Sequence, residues 1–344
     1  MKITMFGHGM VADTHIAAIA DNTEGMRLHQ IVGRDADRTQ AYAAKASKTL
    51  GYTVSAQTDV AQATVRAKGG MALIITPPNV RQPLIQVLVE ARVPILMEKP
   101  IERTFADARR LVELCESASV PLGIVLQHRM RFASQALYEN IKSKKLGTLV
   151  SVDIRVPWWR DQAYYDEPGR GTYARDGGGA MISQAIHTLD LALALCGPVR
   201  TVSALMHTSP LHTLDAEDWA AALLEFENGC IGAMTATTAA YPGGAESITI
   251  QGTKASAHLC AGVLELAYLD GRTETIGATA TTGGGADPMA FTHAWHQNVL
   301  EDFARAITEH RDPVASGRSA LKAHAVIDAM ERSNRSSARE EVTQ

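Results

Sequence analysis

Two side chains stand where a reaction could use a proton carrier or a fixed charge. Lys99 belongs to MEKP, residues 97–100, and His187 lies within GGGAMISQAIHTLDLALALCG, residues 177–197. Lys99 follows the apolar segment PILME and precedes a proline. That position disfavours helical backbone, so the ammonium leaves a strand end in an extended segment. There it could stabilise developing negative charge; taken alone it reads as a surface lysine paired with Glu98. An imidazole can take up and return a proton near neutrality; taken alone, His187 reads as a hydrogen-bonded core histidine. Gly177, Gly178 and Gly179 allow a tight turn and a close approach of backbone to a ligand. The helix then runs to the stop signal Cys196-Gly197-Pro198, with Met181, Ile182, Ala185, Ile186, Leu189 and Leu193 on its core side.

A third chemistry is written at the N-terminus. KITMFGHGMVADTHIAAIAD is a short apolar strand, a glycine turn spaced Gly7-x-Gly9-x-x-Ala12, and an amphipathic helix. Gly7 permits the turn, Gly9 admits a pyrophosphate to the helix N-terminus, and Ala12 allows close helix–strand packing. RLHQIV, residues 27–32, supplies the second strand. An acidic residue at the end of that strand would bind an adenosine ribose, whereas an arginine suits a 2′-phosphate. Gly33 takes the acidic position and Arg34 follows, which leans the expectation toward NADP(H) over NAD(H); Asp35 on the ribose of NAD is the alternative.

The elements that must hold these groups alternate. MALIIT, PILME and PLGIVL are apolar strands separated by helices through PLIQVLVEA and FADARRLVELCESA. This is the pattern of a doubly wound parallel sheet. From residue 200 to 282 the chain reads instead as turn-linked strands: TVSALMHT, WAAALLEFENG, CIGAMTATTA, ESITIQGTK and AHLCAGVLELAYL, an antiparallel sheet. A length of 344 residues favours two domains, placed at 1–124 and 125–344. The polar tail RSNRSSAREEVTQ is expected to fray. A net charge of −4 excludes the basic face that nucleic-acid binding needs. The longest apolar run is too short to span a bilayer. Four separated cysteines and no signal-peptide pattern point to a cytoplasmic protein with buried thiols. TTGGGADP, residues 281–288, has no strand–helix context and receives no phosphate role. His293 and His296 are three apart without an accompanying ligand cluster, so no metal is expected.

GHGMVADTH, ITPPN, MEKP, QHRMRF, GGGAMISQAIHTLD and AAYPGG, in this order, resemble the Gfo/Idh/MocA oxidoreductase family over nearly the whole chain. The resemblance implies an α/β protein: an N-terminal Rossmann domain, then an α+β domain with a largely antiparallel, open-faced sheet. That face would join copies into a homodimer or homotetramer. The resemblance also puts the general base at His187, where many members carry an aspartate four residues earlier. Ser183 stands there instead, so His187 and Lys99 would divide the work: His187 accepting a hydroxyl proton, Lys99 stabilising the alkoxide, hydride passing to the nicotinamide. Asp190 and Gln184 are secondary candidates. Expected dinucleotide contacts are Gly7, Gly9, Met10, Val11, Gly33, Arg34, Thr76, Pro77, Asn79, Glu98 and Lys99.

The aromatic- and arginine-rich segment VPWWRDQAYYDEPGRGTYARD, residues 156–176, offers the flat faces and donors that a polyhydroxylated ring needs. Substrate candidates are Arg129, Trp158, Arg160, Tyr164, Tyr165, Arg170, Ser183 and Gln184. Similar segments in the family act on sugars, cyclitols or sugar derivatives. The expected activity is therefore an NAD(P)-dependent dehydrogenase or reductase acting on CH–OH groups. The rivals are an NAD-dependent glycosidase working by transient oxidation and elimination, and a non-catalytic dinucleotide-binding regulator.

Overall fold

The computed structural model describes residues 1–285 and 287–343. The chain divides into two compact units, one of residues 1–102, 106–127 and 292–320, the other of residues 103–105, 128–291 and 321–344.

The first unit runs β1 (Lys2–Phe6), α1 (Ala12–Ala20), β2 (Arg27–Val32), α2 (Ala36–Leu50), β3 (Ser55–Gln57), α3 (Val60–Ala67), β4 (Met71–Ile74), α4 (Arg81–Glu90), β5 (Ile95–Glu98), α5 (Phe105–Ser117) and β6 (Leu122–Val125). All six strands are parallel, in the order β3-β2-β1-β4-β5-β6. β4, β5 and β6 are buried at every position because helices cover both faces, hence their unbroken apolar runs. α2 is delimited by local chemistry: the Asp35 carboxylate accepts the Arg38 N–H at its start, and Gly51 ends it at φ +73°.

The second unit comprises α6 (Phe132–Lys142), β7 (Leu149–Pro157), the single turn α7 (Gln162–Tyr165), α8 (Ile186–Cys196), β8 (Val199–His207), β9 (Trp219–Phe226), β10 (Ile231–Thr237), β11 (Ser247–Gly252), β12 (Ala255–Cys260), β13 (Val263–Tyr268) and β14 (Thr273–Gly277). After α9 (Ala294–Glu309), most of α10 (Gly317–Ser336) and the short β15 (Glu340–Glu341) complete it. Its nine strands run β14-β13-β12-β11-β7-β10-β9-β8-β15, antiparallel except for the β7–β10 pair. Side chains from α6, α8 and α10 join the sheet's inner face in one apolar core.

Three expectations need correction. Residues 292–320 belong with the first unit, not the second: α9 packs on α1, its Phe303 fills the space beside Gly123 of β6, and Ser316 bridges to Gly123. An amphipathic pattern shows which helix face is apolar, not which sheet it will cover. The segment AHLCAGVLELAYL is two strands, turning at Ala261 and Gly262, both at positive φ. The tail expected to fray continues α10 to Ser336 and then pairs β15 with β8, held by Arg332 on Glu340 and on the Glu341 carbonyl.

Candidate active site

In the first unit, the expected dinucleotide contacts gather at the carboxyl ends of neighbouring strands. Gly7, Gly9, Met10 and Val11 follow β1, Gly33 and Arg34 follow β2, Thr76, Pro77 and Asn79 follow β4, and Lys99 follows β5. The strand order reverses between β1 and β4, the point where open parallel sheets leave a ligand crevice. Gly7 has φ +93°, and its N–H donates to the Val32 carbonyl at 2.8 Å. A side chain on Gly9 would meet only the Ile75 carbonyl oxygen, at 3.9 Å, so its surface is open to a ligand. No side chain caps α1 at Val11; the Ala12 N–H donates to the Gly9 carbonyl at 2.9 Å, and the rest of the helix N-terminus suits an anion. The buried Thr76 hydroxyl has no hydrogen-bond partner among the described residues. These features fit a bound dinucleotide.

At the end of β2 a Cβ on Gly33 would lie 2.2 Å from the Thr39 hydroxyl and 2.8 Å from His8 Nε2. An acidic residue could not replace this glycine without displacing both. The Asp35 side chain is occupied as the cap of α2, while Arg34 is exposed.

Glu98 is turned inward. Its carboxylate accepts from His15 Nε2 at 2.8 Å, and His296 Nε2 lies 3.8 Å away. Burial raises the Glu98 carboxyl, but the His15 hydrogen bond and the nearby His15, His296 and Lys99 charges bring it below its usual value. The three potential ligand atoms lie within 4.8 Å of one another. A tetrahedral zinc would hold two ligand atoms about 3.3 Å apart, so the 2.8 Å contact is that of a hydrogen bond. The sequence spacing of His293 and His296 is misleading, because His293 turns away to Asp21 at 2.8 Å.

In the second unit His187 opens α8 and is 6% exposed. Its ring stacks on His128, with centroids 5.1 Å apart and planes 30° apart. His128 Nε2 faces the Arg131 guanidinium, which can only donate; that nitrogen must therefore accept, and His128 is neutral. Arg131 in turn pairs with Glu246, which also accepts from Trp158 Nε1 at 3.2 Å. The turn before α8, Met181–Ala185, is π-helical. Ser183 donates back to the Gly179 carbonyl at 2.6 Å.

Glu217 fastens the glycine segment, a role no spacing foretold. Its carboxylate accepts the Gly179 and Met181 N–H groups at 3.1 and 2.9 Å, and its carbonyl accepts Ala180 N–H at 2.8 Å. A Cβ on Gly179 would sit 1.8 Å from that carbonyl oxygen. Glycine is required there by backbone, not by a ligand.

The substrate candidates separate into committed and available groups. Arg129 makes two bonds to the buried Asp190, at 2.7 and 2.6 Å; burial opposes the Arg129 charge, but Asp190 holds it above its usual value. Breaking a buried pair costs on the order of 3–5 kcal/mol, too much for it to open at each turnover. Arg160 donates to the carbonyls of Trp159, Gly283 and Gly285 and to Gln184. It anchors the glycine loop at 281–285, of which the neighbouring Ala286 lies outside the described residues. Trp158 and Tyr165 are buried, the latter against the Thr238 hydroxyl. Tyr164 and Gln184 share a 2.7 Å hydrogen bond, and the Arg170 guanidinium lies 4.3 Å from the Tyr164 ring centre. Tyr164, Arg170 and Ser183 stay partly accessible, with Arg170 paired to Glu167, whereas Gln184 is buried with its amide bonded to both Arg160 and Tyr164.

Residues 1–125 match the oxidoreductase family with an NAD-binding Rossmann fold, and residues 134–258 match the GFO/IDH/MocA C-terminal domain. D-apiose dehydrogenase of Paraburkholderia graminis is 25% identical over 340 residues, 95% of this chain and 86% of the relative. The WlbA dehydrogenase of Bordetella pertussis, solved with NADH and UDP-GlcNAcA, aligns with a TM-score of 0.82 at 25% identity, over 100% of this chain and 99% of its own. Levoglucosan dehydrogenase, solved with NADH and levoglucosan, gives 0.85 at 20% identity over 100% of both chains, a likeness of fold. Matches to both domains of one family, on a parallel sheet with the strand order of dinucleotide-binding proteins, make this chain a member of the Gfo/Idh/MocA family of NAD-binding oxidoreductases.

Proposed function

We propose that the protein interconverts a secondary alcohol and a ketone of a sugar, cyclitol or sugar derivative, with NADP(H) favoured over NAD(H). One observation carries the reading: Lys99 leaves β5 at the carboxyl edge of a parallel sheet whose glycine turn is open and whose first helix has no side-chain cap. In oxidation, His187 accepts the hydroxyl proton while Lys99 stabilises the oxygen as negative charge develops. The oxidised nicotinamide, when bound, takes up the hydride from the carbinol carbon. His187 then returns its proton to water, and in reduction the same imidazole donates it.

The NADP(H) preference is supported by Gly33, where an acidic side chain would have to displace Thr39 and His8, and by the exposed Arg34 beside it. The substrate class is supported by the sugar dehydrogenases among the relatives and by Tyr164, Gln184 and Arg170, whose hydroxyl, amide and guanidinium suit polyol oxygens. Four free thiols, three of them buried, accord with a cytoplasmic setting. The uncovered sheet face in the second unit supports homo-oligomers.

A panel of aldoses, cyclitols and sugar acids assayed with NAD and NADP, following reduced nicotinamide at neutral pH, tests the reading. The expected outcome is polyol-dependent reduction with a lower KM for NADP. Cleavage of aryl glycosides without net reduction would replace it by the glycosidase reading, and dinucleotide binding without any turnover by the regulator.

A further inference from the structure

Arg81 opens α4 and is 2% exposed, an unusual place for a guanidinium. Its hydrogen bonds to the described residues all go to main-chain carbonyls. Nε and Nη2 donate to the Thr76 carbonyl at 2.9 and 2.6 Å; Nη1 donates to the Glu98 carbonyl at 2.6 Å and to the Pro100 carbonyl. A single side chain therefore bridges the loop after β4 to the tripeptide after β5. The two carbonyls that flank Lys99 converge on one nitrogen.

The physical need is clear. Carbonyls beyond the last ladder bond of a buried parallel strand have no strand partner, and leaving them bare is costly. Several residue types could satisfy one of them; only a planar fork reaches two loops at once. Burial lowers the Arg81 guanidinium to about 10, with Glu98 and Glu102 opposing the shift, so it stays charged at neutral pH. The Glu98 side chain is held separately by His15, which fixes the same residue from the opposite direction.

We propose that Arg81 is a positioning residue, clamping the backbone on both sides of Lys99 to the cofactor loop at Thr76 so that the lysine meets the reacting oxygen in a fixed place. The inference rests on the reading of Lys99 as the charge-stabilising group. It sets the origin of the lysine's precision in a side chain that touches neither substrate nor cofactor.

Arg81→Lys keeps the charge but cannot span both loops. With the best polyol from the substrate panel, this variant is expected to lose at least tenfold in kcat. KM and cofactor Kd should stay within about threefold, and the deuterium isotope effect from carbinol-labelled substrate should rise as hydride transfer becomes limiting. Hydrogen exchange should show amides of residues 98–102 opening at least tenfold faster, with β1 and β4 unchanged. A kcat within twofold of the parent and an unaltered isotope effect would overturn the clamp. If the parent reduces cofactor with no polyol, the functional reading fails, and exchange alone decides: faster opening at 98–102 supports the clamp, equal rates overturn it. If Arg81→Lys does not fold, the parent protein decides. Exchange at 98–102 as slow as in β5 supports the clamp, and exchange at exposed-loop rates overturns it.

Discussion

A base that must take up and release a proton at each turnover works best without a fixed positive charge against its ring. His128 provides such a neighbour to His187. Arg131 makes it an acceptor, and the two rings stack at 5.1 Å. Ser183 does not substitute for an aspartate, since its hydroxyl is turned back to the Gly179 carbonyl. The proposed chemistry is therefore assigned to His187 and Lys99 alone. Replacing either with alanine should lower turnover by at least roughly a hundredfold, while cofactor binding, followed by reduced-nicotinamide fluorescence, stays intact. Parent-like turnover in either variant removes that residue from the reaction. Both were noticeable in the sequence because their signals are local: a lysine before proline at a strand end, a histidine behind three glycines. Arg81, His15 and His296 were not. Apart from Thr76, five residues before Arg81, their partners lie 17 to 198 residues away, and bonds from a side chain to a distant carbonyl or carboxylate leave no periodic trace. Arg160 stood out in the sequence, but its role as an anchor of the glycine loop did not, because composition reveals a donor and not which acceptors it has already found.

The glycine-led turn and α10 meet through carboxyl groups. Glu217 holds the N–H groups of Gly179 and Met181, and Glu331 of α10 comes 3.9 Å from where a Gly178 Cβ would lie. Burial raises Glu331, and the nearby Glu217 adds to the shift, to about 7. An unfolded glutamate titrates at about 4.3. Between these values the native state holds more protons than the unfolded one, so the group's contribution to stability falls as pH rises through that window. Solvent screens a side chain that is 23% exposed, leaving a loss on the order of 1–2 kcal/mol. Glu331→Gln removes the ionisable group and keeps the shape. By calorimetry the variant should melt roughly 2–6 °C above the parent at pH 8 and level with it at pH 5; equal melting at pH 8 would show that Glu331 ionises without cost. At this scale the strands were the most readable elements: RLHQIV coincides with β2, and WAAALLEF is β9, its positions alternately buried and accessible. The π-helical turn before His187 was not readable, because a single turn of wider winding is too short to leave a side-chain periodicity.

Within the second unit, α6, α8 and α10 contribute to the core on one side of the nine-stranded sheet, and alternate residues point the other way. On that outer side Leu205, Leu223 and Ile231 are 60%, 66% and 60% exposed, on the adjacent strands β8, β9 and β10. Registry places Leu223 between Ser203 and Ala233, so the apolar side chains rise from a floor of small residues. Eight main strands at about 4.8 Å spacing and about seven residues each make a panel of roughly 900 Å², close to the ~800 Å² per partner of a stable interface. A panel of that size with large exposed leucines is a liability for a solitary chain, and it is the face through which we propose copies associate. Leu223→Lys combined with Ile231→Lys would set like charges against each other across a twofold interface, where each patch meets its own copy. Sedimentation should show the parent as a dimer or tetramer and the double variant as a monomer with unchanged circular dichroism. A monomeric parent at micromolar concentration would end the proposal. The sequence indicated this sheet through turn-linked strands, but not that the chain from 292 to 320 would leave it for the other unit. A helix that large needs an apolar surface to cover, and α9 finds one on α1, within its own unit.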